Sequence, residues 1–149
     1  QALRKSGLDP RRLEIEITEQ ALITQWAGTV EKLAALRAIG IQIALDDFGT
    51  GYSSLSYLKR LPIDRIKIDA QFVRDLGRDR ASDSIVEAIL LMAKAMGYEA
   101  VAEGVETEAQ RQFLLGHDCR AGQGFLFSPA VPAETLETLI VDGRLKAKA

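Results

Sequence analysis

Four short stretches of this chain alternate apolar and polar residues with period two, and helix-length segments separate them. Leu13-Glu14-Ile15-Glu16-Ile17, Ile41-Gln42-Ile43-Ala44-Leu45 and Arg65-Ile66-Lys67-Ile68 read as strands, with Glu99-Ala100-Val101-Ala102 as a weaker fourth and residues 119–121 as a short fifth. Between them, residues 29–39 place Val30, Leu33, Leu36 and Ile39 at helical spacing, and Gly40 ends that run. Residues 83–96 gather Ile85, Val86, Ile89, Leu90, Ala93 and Met96 on one side, and Gly97 follows. Residues 107–115 open on Thr107 and Gln110, the spacing of a capping box. A short helix is expected over 54–59, stopped before Pro62. A last one is expected over 132–140, with Pro132 in its first turn. Strand and helix alternate about five times, which argues for parallel βαβ units.

Open doubly wound sheets and (β/α)8 barrels both satisfy that alternation. A barrel usually takes about 250 residues, and this chain has 149. The barrel reading therefore expects further N-terminal units, and the opening fits it: residues 1–7 read as the last turn of a helix capped by Gly7. A formal charge of −2 offers no basic footprint for a nucleic-acid polymer. Cys119 is the one cysteine, so neither an internal disulfide nor a thiolate zinc site can form. A reduced, cytoplasmic setting is expected, with no direct membrane contact from this segment, although another region of a parent protein could anchor it. The basic tail, residues 142–149, is expected to fray.

The polar faces of the strands carry the chemistry. Helices must cover the apolar face, so Glu14 and Glu16, then Gln42, Ala44 and Asp46, then Arg65, Lys67 and Asp69, then Glu99, Val101 and Glu103 should look the other way. A barrel interior lined with charge is costly unless the charges pair or bind an ion. Glu14 and Arg65 lie deep and read as a structural ion pair. Glu16, Asp46 and Glu103 lie near the C-terminal strand ends, where barrel active sites form.

Asp46-Asp47 sets two like charges side by side before a turn with two glycines and four hydroxyls, Phe48-Gly49-Thr50-Gly51-Tyr52-Ser53-Ser54. On this segment alone such a pair reads either as a solvated Asp-Asp opening a glycine turn or as a buried pair compensated by a cation. We expect a metal site made from Glu16, Asp46, Asp47 and Glu103, with Lys67 beside it to hold a nucleophilic water or offset phosphate charge. Four carboxylates without a histidine imply Mg²⁺ or Mn²⁺ more than zinc. Glu106, after the Gly104-Val105 turn, would orient the same water. His117 reads as a helix-end residue, Cys119 as a small core residue, and Trp26 as packing or interface.

Five segments, in order, resemble the later motifs of EAL domains, which are cyclic-di-GMP phosphodiesterases. They are Glu16-Ile17-Thr18-Glu19, Asp46-Asp47-Phe48-Gly49-Thr50-Gly51-Tyr52-Ser53-Ser54-Leu55, Ile66-Lys67-Ile68-Asp69, Ala102-Glu103-Gly104-Val105-Glu106 and Gln123-Gly124-Phe125-Leu126-Phe127-Ser128. The resemblance implies a (β/α)8 TIM-type barrel, here incomplete with about five C-terminal β/α units, and residues 1–149 as part of one domain. It implies two Mg²⁺ or Mn²⁺ ions and the opening of cyclic di-GMP to linear pGpG. Glu16 would bind the first metal, Asp46 bridge the two, and Asp47 and Glu103 bind the second. Lys67 would contact the attacking water, with Glu103 and Glu106 also counted as catalytic. Gln123 and Asp69 would meet substrate, and Glu19 would anchor the loop over 48–54, which in this family couples dimerisation to the metal site.

The Glu-Ala-Leu motif and the strand carrying an Asn ligand belong to a part of the family pattern that precedes these residues. Phe125 stands where Tyr is common, and Ala130 where Pro often stands. We therefore expect little turnover from the isolated chain. Unpaired strand edges favour a homodimer or a domain swap. The alternative is a degenerate module, a cyclic-di-GMP receptor or a dimerisation platform; the intact Asp46-Asp47, Lys67, Glu103 and Glu106 argue against it.

Overall fold

The computed structural model describes residues 2–24, 26–49 and 58–142. Five strands form one sheet: β1 (Glu14–Thr18), β2 (Gln42–Phe48), β3 (Arg65–Ile68), β4 (Glu99–Ala102) and β5 (Ala121–Gly122). They pair in chain order, β1-β2-β3-β4-β5, and every pairing is parallel. A doubly wound sheet reverses its strand order and carries helices on both faces. Strictly sequential order with right-handed crossovers instead keeps every helix on one face, which is the (β/α)8 arrangement. The order of the strands decides what the alternation of elements left open. Among the described residues β1 and β5 each have a strand neighbour on one side only.

Among the described residues the α-helices are α1 (Ala2–Ser6), α2 (Glu19–Thr24), α3 (Trp26–Ala38), α4 (Ala70–Arg74), α5 (Arg80–Met96), α6 (Glu108–Gly116) and α7 (Ala133–Val141). Gly7 closes α1 at a φ of 69°, and its N–H donates to the Leu3 carbonyl. In α5 the Asp79 carboxylate caps the N–H groups of Ala81 and Ser82, so the helix starts three residues before the apolar stripe suggests. Val86, Ile89, Leu90 and Ala93 are buried along that stripe, while Ile85 falls at its edge and is 40% exposed. The Thr107–Gln110 capping box forms as expected, with both reciprocal bonds present. Pro132 is the residue before α7 rather than its first turn, and no residue of α7 is buried. The two shortest of the later helices, α2 and α4, were not anticipated.

The core fills the space between sheet and helices. Ile43, Leu45, Ile66 and Ile68 from the outward strand face are almost wholly buried against Val73, Val86 and Val105. Each such side chain contributes roughly 1.5–3 kcal/mol relative to exposure. The helix expected over 54–59 lies almost entirely outside the described residues, as does the tail beyond 142. Among the described residues no helix is long and apolar enough to cross a membrane.

Candidate metal and catalytic site

The inward face of the sheet is polar, as its alternation requires, and its charges sit in two layers organised by β3. In the lower layer, Arg65 Nη1 lies 2.5 Å from Glu14 Oε2 on β1, and its Nε 2.6 Å from Glu99 Oε2 on β4. Glu99 and Glu14 together hold the guanidinium's pKa above its ordinary range, against the effect of burial. Arg65 pairs in register with Ala44 and Glu99, and Ala44 with Glu16. The contact nevertheless falls on Glu14, one inward row behind Glu16, so the cation leans back across the middle strand. Ala44, fully buried, keeps that strand low enough for the ends of long side chains to meet above it.

Two residues further along β3, Lys67 repeats the pattern one layer higher. Its Nζ lies 2.8 Å from Glu16 Oε1, 2.9 Å from Asp46 Oδ1 and 2.7 Å from Glu103 Oε1. Lys67 is 5% exposed. Burial alone would lower its pKa, but Glu103, Glu16 and Asp46 outweigh burial and raise it. Asp46 Oδ1 is within ion-pair range of the ammonium, yet it is buried and has no hydrogen bond among the described residues.

Strand alternation should send Asp47 toward the helices. A β-bulge prevents this: between the pairs Leu45–Ile66 and Phe48–Ile68, β2 advances three residues while β3 advances two. Asp47 takes up the extra residue at a φ of 54°, a left-handed conformation that Asp tolerates better than most side chains. Asp46, Asp47 and Glu103 consequently each offer an oxygen within 4.8 Å of the others'. Burial raises the Asp47 pKa above 3.8, the charges of Asp46 and Asp69 raise it further, and Lys67 opposes them. Three carboxylates with oxygens this close are hard donors that fit a divalent cation such as Mg²⁺ or Mn²⁺.

Around this group, Gln123 Nε2 donates to Glu103 Oε1 at 2.7 Å, fixing that carboxylate from β5. Asp69 Oδ1 accepts from the Gln71 N–H at 2.6 Å and so heads α4 beside Asp47. Glu16 meets the Lys67 ammonium but is not one of the three grouped residues, and its side chain is 45% exposed. Glu106 is exposed, its N–H donates to Gln110 Oε1, and its carboxylate is not one of the three grouped. Glu19 heads α2 with both carboxylate oxygens buried and without a hydrogen bond among the described residues. Most of the loop that Glu19 was expected to anchor, residues 50–54, lies outside the described residues, as does the Trp26 side chain.

His117 and Cys119 stand apart from this site. His117 ends α6, with Nδ1 2.8 Å from the Phe113 carbonyl and Nε2 3.2 Å from Glu87. Cys119 is buried, and burial pushes its thiol pKa up. The feature that sequence reasoning missed is the bulge. Its signal was present in the parity of the apolar residues: Leu45 and Phe48 are three apart, and one face of a regular strand cannot carry both.

With this geometry in hand, similarity to known proteins can be placed on particular residues. The chain is 43% identical over 139 residues to the cyclic di-GMP phosphodiesterase NbdA of Pseudomonas aeruginosa, covering 93% of this chain and 18% of NbdA. It superposes on the phosphodiesterase PaMucR in its c-di-GMP complex with a TM-score of 0.87 and 44% identity, covering 91% of this chain and 55% of that one. For the manganese and c-di-GMP complex of Klebsiella pneumoniae BlrP1 the TM-score is 0.79 and the identity 41%, over 86% of this chain and 33% of that one. The chain spans about a fifth of the length of the curated relatives it matches. The EAL domain family model matches residues 1–130, a stretch that contains both charge layers, the bulge and Gln123. The chain belongs to the EAL domain family.

Proposed function

We propose that this chain is the later part of a cyclic-di-GMP phosphodiesterase domain and supplies most of the acidic side chains with which that domain opens cyclic di-GMP to linear pGpG. The observation that carries this reading is the group of Asp46, Asp47 and Glu103, with oxygens within 4.8 Å of one another and Lys67 against two of the three. It is supported by the activity named for NbdA and by the ligands named for the PaMucR and BlrP1 complexes.

Glu16, Asp46, Asp47 and Glu103 would hold two Mg²⁺ or Mn²⁺ ions. When bound, such ions acidify the attacking water and offset charge on the phosphodiester. Lys67 holds that water or the phosphate oxygens by its ammonium, and Gln123 keeps Glu103 turned toward the site. Asp69 and Gln123 meet the substrate, Glu106 orients the water, and Glu19 steadies the loop over 48–54. Among the described residues β1 and β5 each have an edge without a strand partner, which favours a homodimer or a domain swap, and the 149-residue chain alone turns over little substrate.

The test is a calorimetric titration with Mn²⁺ alone. The chain takes up the ion, and Asp46→Asn, which removes the charge of a central ligand, does not. Unchanged binding by that variant would overturn the metal site. Linear pGpG that accumulates from the isolated chain with Mg²⁺, and vanishes in Asp47→Ala, would overturn the expected lack of turnover.

A further inference from the structure

One ammonium contacts three carboxylates that come from three different segments: β1, β2 and the turn after β4. Each of those carboxylates is also one that the proposed function gives to a divalent ion. Asp46 Oδ1 faces Lys67 Nζ and has no hydrogen bond among the described residues, while Glu103 Oε1 carries both Lys67 Nζ and Gln123 Nε2. Lys67 and a metal ion are thus competitors for the same carboxylates.

We infer that Lys67 is an internal counterion, holding the metal-binding carboxylates together until a divalent cation displaces it. The inference rests on the proposed metal site and adds an order of events to it. Four carboxylates in one corner repel one another, and a single positive charge relieves only part of that repulsion. A divalent ion brings twice the charge and so relieves more of that repulsion than the ammonium does. Lysine suits this exchange: its ammonium is a compact point charge on a flexible stem and can withdraw without moving β3. The displaced Nζ is then free to face an attacking water or a substrate phosphate. Until then it offsets part of the repulsion among Glu16, Asp46 and Glu103.

Lys67→Met, of similar length and neutral, separates this role from that of a lysine needed only for catalysis. Thermal unfolding and Mn²⁺ calorimetry are run on the wild-type chain and the variant, in chelator and in excess Mn²⁺. With chelator the variant melts below wild type, because the carboxylates have lost their cation. With Mn²⁺ the gap closes, and the variant binds the ion about tenfold more tightly or better, since no ammonium competes. A variant as stable as wild type in chelator, or one that binds Mn²⁺ no more tightly, overturns the inference. Should the variant fail to fold in chelator, recovery of its circular dichroism on adding Mn²⁺ supports the exchange, and failure to recover refutes it. A wild-type chain with no Mn²⁺-dependent shift would remove the proposed metal site itself, and this inference with it. Wild-type binding combined with weaker binding by the variant would remove the inference alone.

Discussion

Among the described glycines Gly124 has the least room for a side chain, and replacing it with alanine gives a sharp test of how the segment after β5 holds the site. A methyl group there would fall on the backbone N, C and O of Val105, 2.7 Å from the carbon and closer still to the other two. No side-chain rotation relieves an overlap with backbone, so the two segments must part. Two hydrogen bonds join them, Val105 N–H to the Gln123 carbonyl and Leu126 N–H to the Val105 carbonyl, both at 3.0 Å. At about 1 kcal/mol net for each bond, their loss costs about 2 kcal/mol. Val105 is 1% exposed, and lifting it partly from the core adds about 1 kcal/mol. The total, about 3 kcal/mol, corresponds to a fall of about 1.5 M in the urea midpoint if the slope is near 2 kcal/mol per M. The same displacement carries Gln123 Nε2 away from Glu103, so Mn²⁺ affinity falls too. Gly28→Ala is the control: nothing lies within 4 Å of the added methyl in α3, and the helix gains up to about 1 kcal/mol. A midpoint for Gly124→Ala within about 0.3 M of wild type would refute the claim that this contact fixes β5 against the 103–105 turn.

Two further substitutions probe other parts of the argument. Asp79 caps α5, and its pKa is held below 3.8 by the Ser82 hydroxyl and by the N–H groups of Ala81 and Ser82. A depressed carboxylate stabilises the fold fully above its unfolded value and loses that contribution as pH falls through its folded value. Asp79→Ala therefore lowers the urea midpoint at pH 7, and the difference from wild type shrinks below pH 3.8; an equal difference at both pH values would show that the carboxylate charge is not the cap. Arg65→Met removes the lower ion triad, whose members are 28% to 53% exposed, so denaturant unfolding should register a loss of only about 1 kcal/mol. Mn²⁺ calorimetry on that variant should nevertheless show weaker binding; an unchanged affinity would mean that the two charge layers are independent.

Much of this architecture was legible in the sequence because strand alternation and burial leave few choices. Glu14, Arg65 and Glu99 share the inward face by parity, and two adjacent inward positions on β3 are cationic, so the layering could be anticipated. The Thr107–Gln110 box and the glycine stops at Gly7, Gly40 and Gly97 work through nearest neighbours and were equally readable. What could not be read depends on tertiary context. Helices α2 and α4 have six and five residues, too short to form by propensity alone; Leu22 and Val73 hold them down only once a core exists. Asp46 was placed in the site by alternation, but nothing local brings Asp47 to the same rim. The bulge does that, and its trace is the break in parity at Phe48.

The order of the two cations on β3 separates scaffold from exchangeable site. Arg65 engages its partners through two different nitrogens set at a fixed angle, Nη1 to Glu14 and Nε to Glu99. A planar fork of this kind ties β1 to β4 in one geometry and has no equivalent among simple ions. Lys67 reaches all its carboxylates through one nitrogen, and one point charge can take the place of another. Glu16 lies on β1 and Glu103 directly after β4, with β2 and β3 between those strands, so the distance across the metal-binding rim follows the distance between strands. Arg65 sets that distance one layer below, at the nearest inward position where β1 and β4 are directly cross-linked. A residue that touches none of the proposed metal ligands thereby governs how far apart two of them stand, and a metal ion, whose bond lengths tolerate little change, would register any loosening of that lower layer.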